Sequence, residues 1–389
     1  MNTTETLRGR VALCIAHVAG MIDMVALPVW VGTLIARYQF TPQQSGGLAT
    51  LFLAGVVVAS LVCAPRFNRF PARLVVPAGF GLAAIAFVLA TLSVRYEILA
   101  LAHVLGGIAT GCSLSFTHGT MGRSRNPHRM FAAAQFSLGV FSIAFLGAMP
   151  LVVERWGGQA LFMVFGAVMA IAAVATALFF PRPEMVFAGE TPQLQSRGRI
   201  PAGVWAGIVG VSLMATVQSM VFSFVERVGV DRGFTVEQVA SVLVAVGLVT
   251  LFPAVLAAVL QHRWPARRVM MGGPVAQAVL ALTIFNAGAF LPYAVATSLF
   301  PFVMIFTHTF AFGYFAHADP TGRAVAATPA MNMIGSGIGP FIGGTLVQHS
   351  GYPALSHAAA LLAALAVLAF ALTAWRSENG LHQAAVTQD

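Results

Sequence analysis

The chain has 389 residues, 58% of them hydrophobic and 8% charged, with a mean hydropathy of +0.84. A water-soluble domain carries about a quarter charged residues, so this composition excludes a soluble globule and makes a bilayer the workable solvent. The net charge of +9 comes from arginine alone; its scatter over short loops between apolar runs excludes the single basic face of a nucleic-acid binder.

In chain order, the ten residues MNTTETLRGR precede a first apolar run at about 11–36. That run is longer than a signal-peptide core and carries Asp23, so it reads as a retained helix. Runs at about 43–64, 74–93, 98–121, 130–153 and 159–180 follow, then a polar stretch from Pro181 to Pro201. Six more lie at about 202–225, 236–260, 269–290, 292–316, 324–347 and 354–375, with the junction near Pro292 the least marked. Each is long enough to cross about 30 Å of hydrocarbon as a helix. Lipid cannot satisfy an open backbone, and none of the runs alternates as barrel strands do, so the expectation is an all-α membrane protein with twelve transmembrane helices. Cys14, Cys63 and Cys112 fall inside these runs and read as small packing residues, with no disulfide or metal framework.

The two halves repeat. "NRFPAR" begins at Asn68 and "HRWPAR" at His262, and 262 − 68 = 194. "FTPQQ" at Phe40 and "FTVEQ" at Phe234 keep the same offset, as do Arg129 with Arg323 and Gly157 with Gly351. The expected domains are therefore a six-helix bundle over 1–181, a cytoplasmic linker over 182–201 and a second six-helix bundle over 202–389. An even number of spans puts both termini on one side. Sixteen of the 21 arginines fall at that end and five at the other, which makes it the cytoplasmic side of a bacterial inner membrane.

Asp23 is the only acidic residue deep in an apolar run. It lies about 20 Å along the first helix at 1.5 Å per residue, near mid-membrane, where insertion scales charge roughly 2.5–3.5 kcal/mol for a carboxylate. A group that takes a proton from one side and releases it to the other is what proton coupling requires. The structural alternative is a polar packing group bonded to Ser or Thr. Gln218, with Thr216, Ser219 and Ser223, sits at similar depth in the seventh run, and its repeat partner is Met24 (218 − 24 = 194). Glu226 and Arg227 are expected to pair at the end of that run.

Helix count, linker, repeat and the basic turn together resemble the major facilitator superfamily, whose turn signature is G-x-x-x-D-R-x-G-R-R. Asn68 stands at the aspartate position, Arg69 and Arg73 at basic positions; the second copy keeps Arg263 and Arg267 and puts His262 at the aspartate. The resemblance implies that these six residues form the loops that hold one conformation. It also implies that the first, fourth, seventh and tenth helices line a central cavity. His17, His118 and His308 would then bind substrate or relay protons, with helix-packing hydrogen bonds as the alternative. Gln218 and Thr307 are cavity candidates on the same footing. His103 falls where many members carry a fourth-helix arginine. "GSGIGPFIGG" lacks a preceding strand and so is no phosphate loop; it fits the family's G-x-x-x-G-P-x-x-G-G pattern through Gly335, Gly339, Pro340, Gly343 and Gly344, which implies close helix packing. In drug/proton antiporters that pattern lies in the fifth helix, whereas here it lies in the eleventh. "FVERVG" and "DPTGR" resemble segments of many uncharacterised bacterial members.

The function expected from these features is secondary active transport of a small, partly apolar organic solute, proton-coupled through Asp23 and working by alternating access. The alternatives are a drug/proton antiport efflux pump and, in a different class, a non-transporting membrane sensor on the same fold. An enzyme is not expected, since no nucleophile–base pair or H-E-x-x-H pattern is present. No arginine sits in the middle of a run to meet an anionic solute. The partners expected are a small molecule, the proton and the lipid bilayer, with the chain a monomer and neither cofactor nor metal.

Overall fold

A computed structural model of the chain describes residues 4–63, 66–67, 69–181, 202–261, 263–318 and 323–386, and side chains for all of these but 127–128, 202, 258, 316, 323–331 and 374–386. Among the described residues every regular element is helical. The first half holds α1 (Leu7–Gly20), α2 (Ile22–Tyr38), α3 (Pro42–Cys63), α4 (Ala72–Ala90), α5 (Tyr96–Gly122), α6 (Pro127–Trp156) and α7 (Gln159–Phe179). The second holds α8 (Ala202–Phe222), α9 (Val225–Asp231), α10 (Val236–Val249), α11 (Pro253–Leu260), α12 (Ala266–Asn286), α13 (Phe290–Ala318), α14 (Arg323–Ser350) and α15 (Pro353–Val386). Eleven spans among the described residues are long and apolar enough to cross a membrane, counting α1 with α2, α8 with α9, and α10 with α11 as single spans. The 28-residue α14 is the twelfth long helix.

Three expected runs are broken. In the first, Gly20 lies so close to the Leu114 side chain of α5 that a Cβ there would collide, and Met21 leaves helical geometry at φ −112°, ψ 19°. The eighth breaks before Pro253, whose missing N–H and fixed φ suit the first turn of α11. The seventh breaks at Ser223–Phe224, ahead of the short α9. The loop between α12 and α13 falls at Ala287–Ala289, which leaves Pro292 in the first turn of α13.

The repeated basic turn has the same build in both halves. Pro71 and Pro265 are extended N-caps of α4 and α12, at φ −72°, ψ 108° and φ −60°, ψ 125°. Arg73 Nε donates to the Phe180 carbonyl at 3.0 Å, placing a cation at the C-terminal end of α7. Arg69, Arg263 and Arg267 lie exposed. Asn68, His262 and the whole of the expected linker, 182–201, lie outside the described residues.

Helices α1–α7 form one bundle and α8–α15 the other; they meet along two seams, α3 on α14 and α6 on α10. The seams obey the 194-residue offset. Leu53 faces Gly337 in one, and Gly247 faces Ile143 in the other (53 + 194 = 247; 337 − 194 = 143). Thr50 Oγ1 accepts from the Phe341 N–H at 3.2 Å, and the matching pair is Val244 with Gly147. The glycine stretch of α14 serves both neighbours. Gly335, Gly339 and Gly343 lie against Ser212, Ser219 and Met220 of α8, while Pro340 and Gly344 meet Gly46 and Pro42 of α3. At these points backbones approach so closely that a Cβ has no room, which is how small residues join helices where lipid offers no hydrophobic drive.

Helix α1 packs on α5, α6 and α7 of its own bundle, whereas α2 reaches α8 and α9 of the other. The far end, away from the termini, is sealed by Pro42 against Gly344 and by the Gln43 N–H donating to Gln348 Oε1 at 3.3 Å.

At the terminal end, the Glu5 carboxylate accepts from Arg10 Nη2 at 2.5 Å and from the Arg125 N–H at 3.2 Å, which ties the segment before α1 to the α5–α6 turn. The Arg10 hydrogen bond holds the Glu5 carboxyl below its ordinary range. With the folded value lowered, the tie is complete above the ordinary carboxylate range and is lost as pH falls through the lowered one. Protection against hydrogen exchange in the first turn of α1, taken relative to the intrinsic rate at each pH, is expected to fall as pH drops through that lowered range, and the Glu5→Gln variant to show the weaker protection at neutral pH.

Candidate functional site

Asp23 sits in the first turn of α2, directly after the break at Met21. The backbone N–H groups of Asp23 itself and of Met24 lie beside its carboxyl, that of Met24 also donating to the Met21 carbonyl at 3.1 Å. It is buried and does not face lipid. It lines a cavity of about 10 Å³ together with Met21, Met24, Leu53, Val56, Val57 and Leu114 of its own bundle and Met333 and Ser336 of α14. That is room for about one water molecule. The carboxyl therefore lies on the seam between the two bundles, in the middle of the molecule.

One helical turn nearer the termini is a cluster of imidazoles. His17 Nδ1 lies 3.0 Å from His118 Nε2, and His17 Nε2 lies 2.7 Å from Gln135 Oε1. His17 is four residues before Met21 on α1, and His118 four residues after Leu114 on α5, so both share a face with walls of the Asp23 cavity. The amide orders the chain. If Gln135 accepts, His17 Nε2 carries a proton, His17 Nδ1 accepts, and His118 Nε2 donates. Gln135 is exposed on α6. The sequence reading did not name it, although a lone amide in the run from Met130 to Pro150 was its signal.

In the second bundle Gln218 Oε1 accepts from Gln277 Nε2 at 3.3 Å, and the same Nε2 reaches the Met214 carbonyl at 3.2 Å. Gln277, also unnamed from the sequence, is fully buried and its Oε1 has no partner. Thr307 is buried against Gly273 of α12. His308, the next residue, packs on Phe312 with ring centroids 5.0 Å apart, and its Nδ1 has no hydrogen-bond partner. The structure thus joins His17 with His118 and Gln218 with Gln277, and sets Thr307 into a helix contact.

His103 belongs to a different group. Its Nδ1 donates to the Leu99 carbonyl at 2.6 Å and its Nε2 accepts from Trp30 Nε1 at 3.2 Å, which fixes one tautomer. Phe52, Phe87, Phe162 and Phe165 surround the pair with ring centroids 4.8–6.3 Å apart. This is the packed centre of the first bundle. His103→Leu leaves the buried Trp30 N–H without an acceptor, an expected loss of about 1–3 kcal/mol; His103→Gln keeps an acceptor and is expected to recover most of it, both read as the midpoint of thermal unfolding.

The expected Glu226–Arg227 pair is replaced by another. Arg227 Nη2 meets Asp231 Oδ1 at 2.6 Å, because residues four apart share a helix face and adjacent ones do not. Glu226 instead points at Gly32 of α2, across the bundle boundary. No group of three or more His, Cys, Asp or Glu among the described residues could hold a metal ion.

A comparison of the whole architecture with solved structures finds transporters. A bacterial homologue of the human lysosomal transporter Spinster, in an inward-facing and occupied conformation, superposes with a TM-score of 0.73 at 15% identity, over 95% of this chain and 96% of that one. A D-xylose–proton symporter gives 0.72 at 14% identity over 92% and 96%. The nucleoside transporter NupG gives 0.70 at 16% over 95% and 98%. No curated protein matches by sequence. The sequence model of the Major Facilitator Superfamily matches residues 12–321. Two six-helix bundles, a repeated basic turn and that match lead to one conclusion: the chain belongs to the major facilitator superfamily and is a membrane-spanning transporter.

Proposed function

We propose that this transporter is driven by protons through Asp23 and carries a small, partly apolar organic solute by alternating access. The observation that carries the reading is the place of Asp23: a buried carboxyl on the seam, walled by both bundles, at the start of a broken helix. Rocking the bundles changes which side water reaches that cavity from, so the proton is taken up and released on opposite sides. The His17–His118–Gln135 chain, one turn nearer the termini, supports a path for that proton to the terminal end. That end is the cytoplasmic one in a bacterial inner membrane, by its excess of arginine, and the chain works as a monomer.

The solute class follows from the lining chemistry. Among the described residues, the buried polar groups other than Asp23 are amides, imidazoles and hydroxyls, with no buried arginine to meet a fixed anion. A neutral or cationic solute with hydrogen-bonding groups on an apolar frame fits that lining. The test is a thermal-shift screen of the purified protein against a chemically broad panel at two pH values, followed by flux of the stabilising compounds into proteoliposomes. Saturable flux that follows an imposed pH gradient is expected; ligand binding without gradient-driven flux would favour the sensor reading and overturn this one.

A further inference from the structure

Glu226 has no role in the proposal above, yet it occupies an unusual position. It lies on α9, the short far-end extension of the seventh span. Its Oε2 is shut away from water with no hydrogen-bond partner. Directly opposite is Gly32 of α2, in the other bundle, where a Cβ would collide with that oxygen. The two positions are mates in the internal repeat (226 − 32 = 194), so the carboxyl of one half fits the gap left by the other half's glycine.

Helix α9 is tied to its own bundle on three sides. Tyr293 of α13 donates to the Val225 carbonyl at 2.7 Å, Tyr352 donates to Asp231 Oδ2 at 2.7 Å, and Arg232 donates to the Ile284 carbonyl of α12. Glu226 is thus held out on a fixed support, and its fit against Gly32 is part of the far-end closure. The titratable groups around it are Arg227 and Asp231 on its own helix and Tyr293 on α13. Arg227 and Asp231 are paired with each other, and the α2 position that meets the carboxyl is the uncharged Gly32. Glu226 as a whole is half-buried, but at its enclosed Oε2 an ionised carboxylate without a donor is disfavoured against the uncharged acid.

We infer that Glu226 is a second proton site of this protein, one that must be filled for the far-end seam to close and that empties when the seam opens to water on that side. The proton returns to the side it came from, so it is not carried across; it sets the balance between the closed and open seam according to the pH outside. This rests on the alternating-access part of the proposed function and not on Asp23. One proton bound in the closed form alone makes the closed-to-open ratio fall up to about tenfold per pH unit over the titrating range.

The experiment measures distances between spin labels at Glu154→Cys and Ser350→Cys, exposed far-end positions on α6 and α14, with the three native cysteines replaced by serine. In bilayer nanodiscs between pH 5 and 9, the open fraction is expected to rise with pH in the otherwise native chain. Glu226→Gln, which cannot ionise, is expected to stay closed and lose that slope, while Asp23→Asn keeps it. An unchanged slope in Glu226→Gln, or no slope in the native chain, overturns the inference. Gly32→Ala gives a second check: its methyl group displaces the Glu226 carboxyl from its enclosed position, so this variant too is expected to lose the pH slope. A Gly32→Ala chain with an unchanged slope overturns the inference too. Failure of Asp23 as the coupling group would appear in gradient-driven flux and leave these distances unaffected.

Discussion

Asp23→Asn is expected to bring pH-gradient-driven transport down to the background leak, a loss of about 100-fold or more. Solute exchange at equal pH on both sides should stay within a few-fold of the unaltered protein. The two outcomes separate because asparagine has nearly the shape of the acid and its Oδ1 can take the same place beside the backbone N–H groups of residue 23 and Met24, so the start of α2 and the walls of the cavity are preserved. What it cannot do is bind and lose a proton. A hundredfold loss corresponds to about 2.7 kcal/mol at 1.36 kcal/mol per decade, within reach of a single buried charge. The measurement is initial flux into proteoliposomes under an imposed pH gradient, beside counterflow without one. Unchanged gradient-driven flux would remove Asp23 from the mechanism; loss of both activities would make it a structural or solute-binding group.

Widening the seam is expected to be nearly as damaging. Gly46→Val and Gly344→Val each place a side chain against a backbone carbonyl on the opposite bundle, that of Pro340 and of Pro42. Backbone cannot turn aside as a side chain can. Overpacking of this kind costs about 1–3 kcal/mol, here charged to the closed seam alone, so the closed fraction should fall about 5- to 150-fold per substitution. Transport should fall in step, and the unfolding temperature should change little, because each bundle is left intact. Gly107→Val is the control. Gly107 lies against the Phe52 backbone inside the first bundle, and its substitution should lower the unfolding temperature. Normal flux in both seam variants would mean that the far-end contacts play no part in the transport cycle.

Much of the fold was legible because lipid imposes one demand, unbroken apolar stretches, and because the two halves carry the same turns at a fixed offset. The breaks were harder to see. Gly20 reads as an ordinary small residue until Leu114 arrives from α5, and Met21, next in the chain, leaves the helix. The partner of Arg227 was within reach of helix geometry, since Asp231 lies one turn on and Glu226 lies to one side. For the candidate site, sequence marked the depth of Asp23, and of His17 and His118 as separate residues. It could not bring the two histidines together, because their contact depends on how α1 and α5 are rotated about their axes. The same limit hid Gln135 and Gln277, whose partners lie 118 and 59 residues away. Thr307 shows the limit from the other side: its neighbour His308 drew attention to it, while its own face of α13 turns to Gly273.

The matched contacts Leu53–Gly337 and Ile143–Gly247 also have a mechanical meaning. A rigid body that tilts moves least along its axis, and an axis shared by two equivalent halves must pass through equivalent points. These pairs are such points, each setting a bulky side chain on a bare backbone, a shape that tolerates tilting better than sliding. Leu53 is also a wall of the Asp23 cavity. In the alternating-access cycle proposed above, the carboxyl would sit beside the fulcrum, where the lever arm is shortest, and would trade one aqueous compartment for the other while staying almost still.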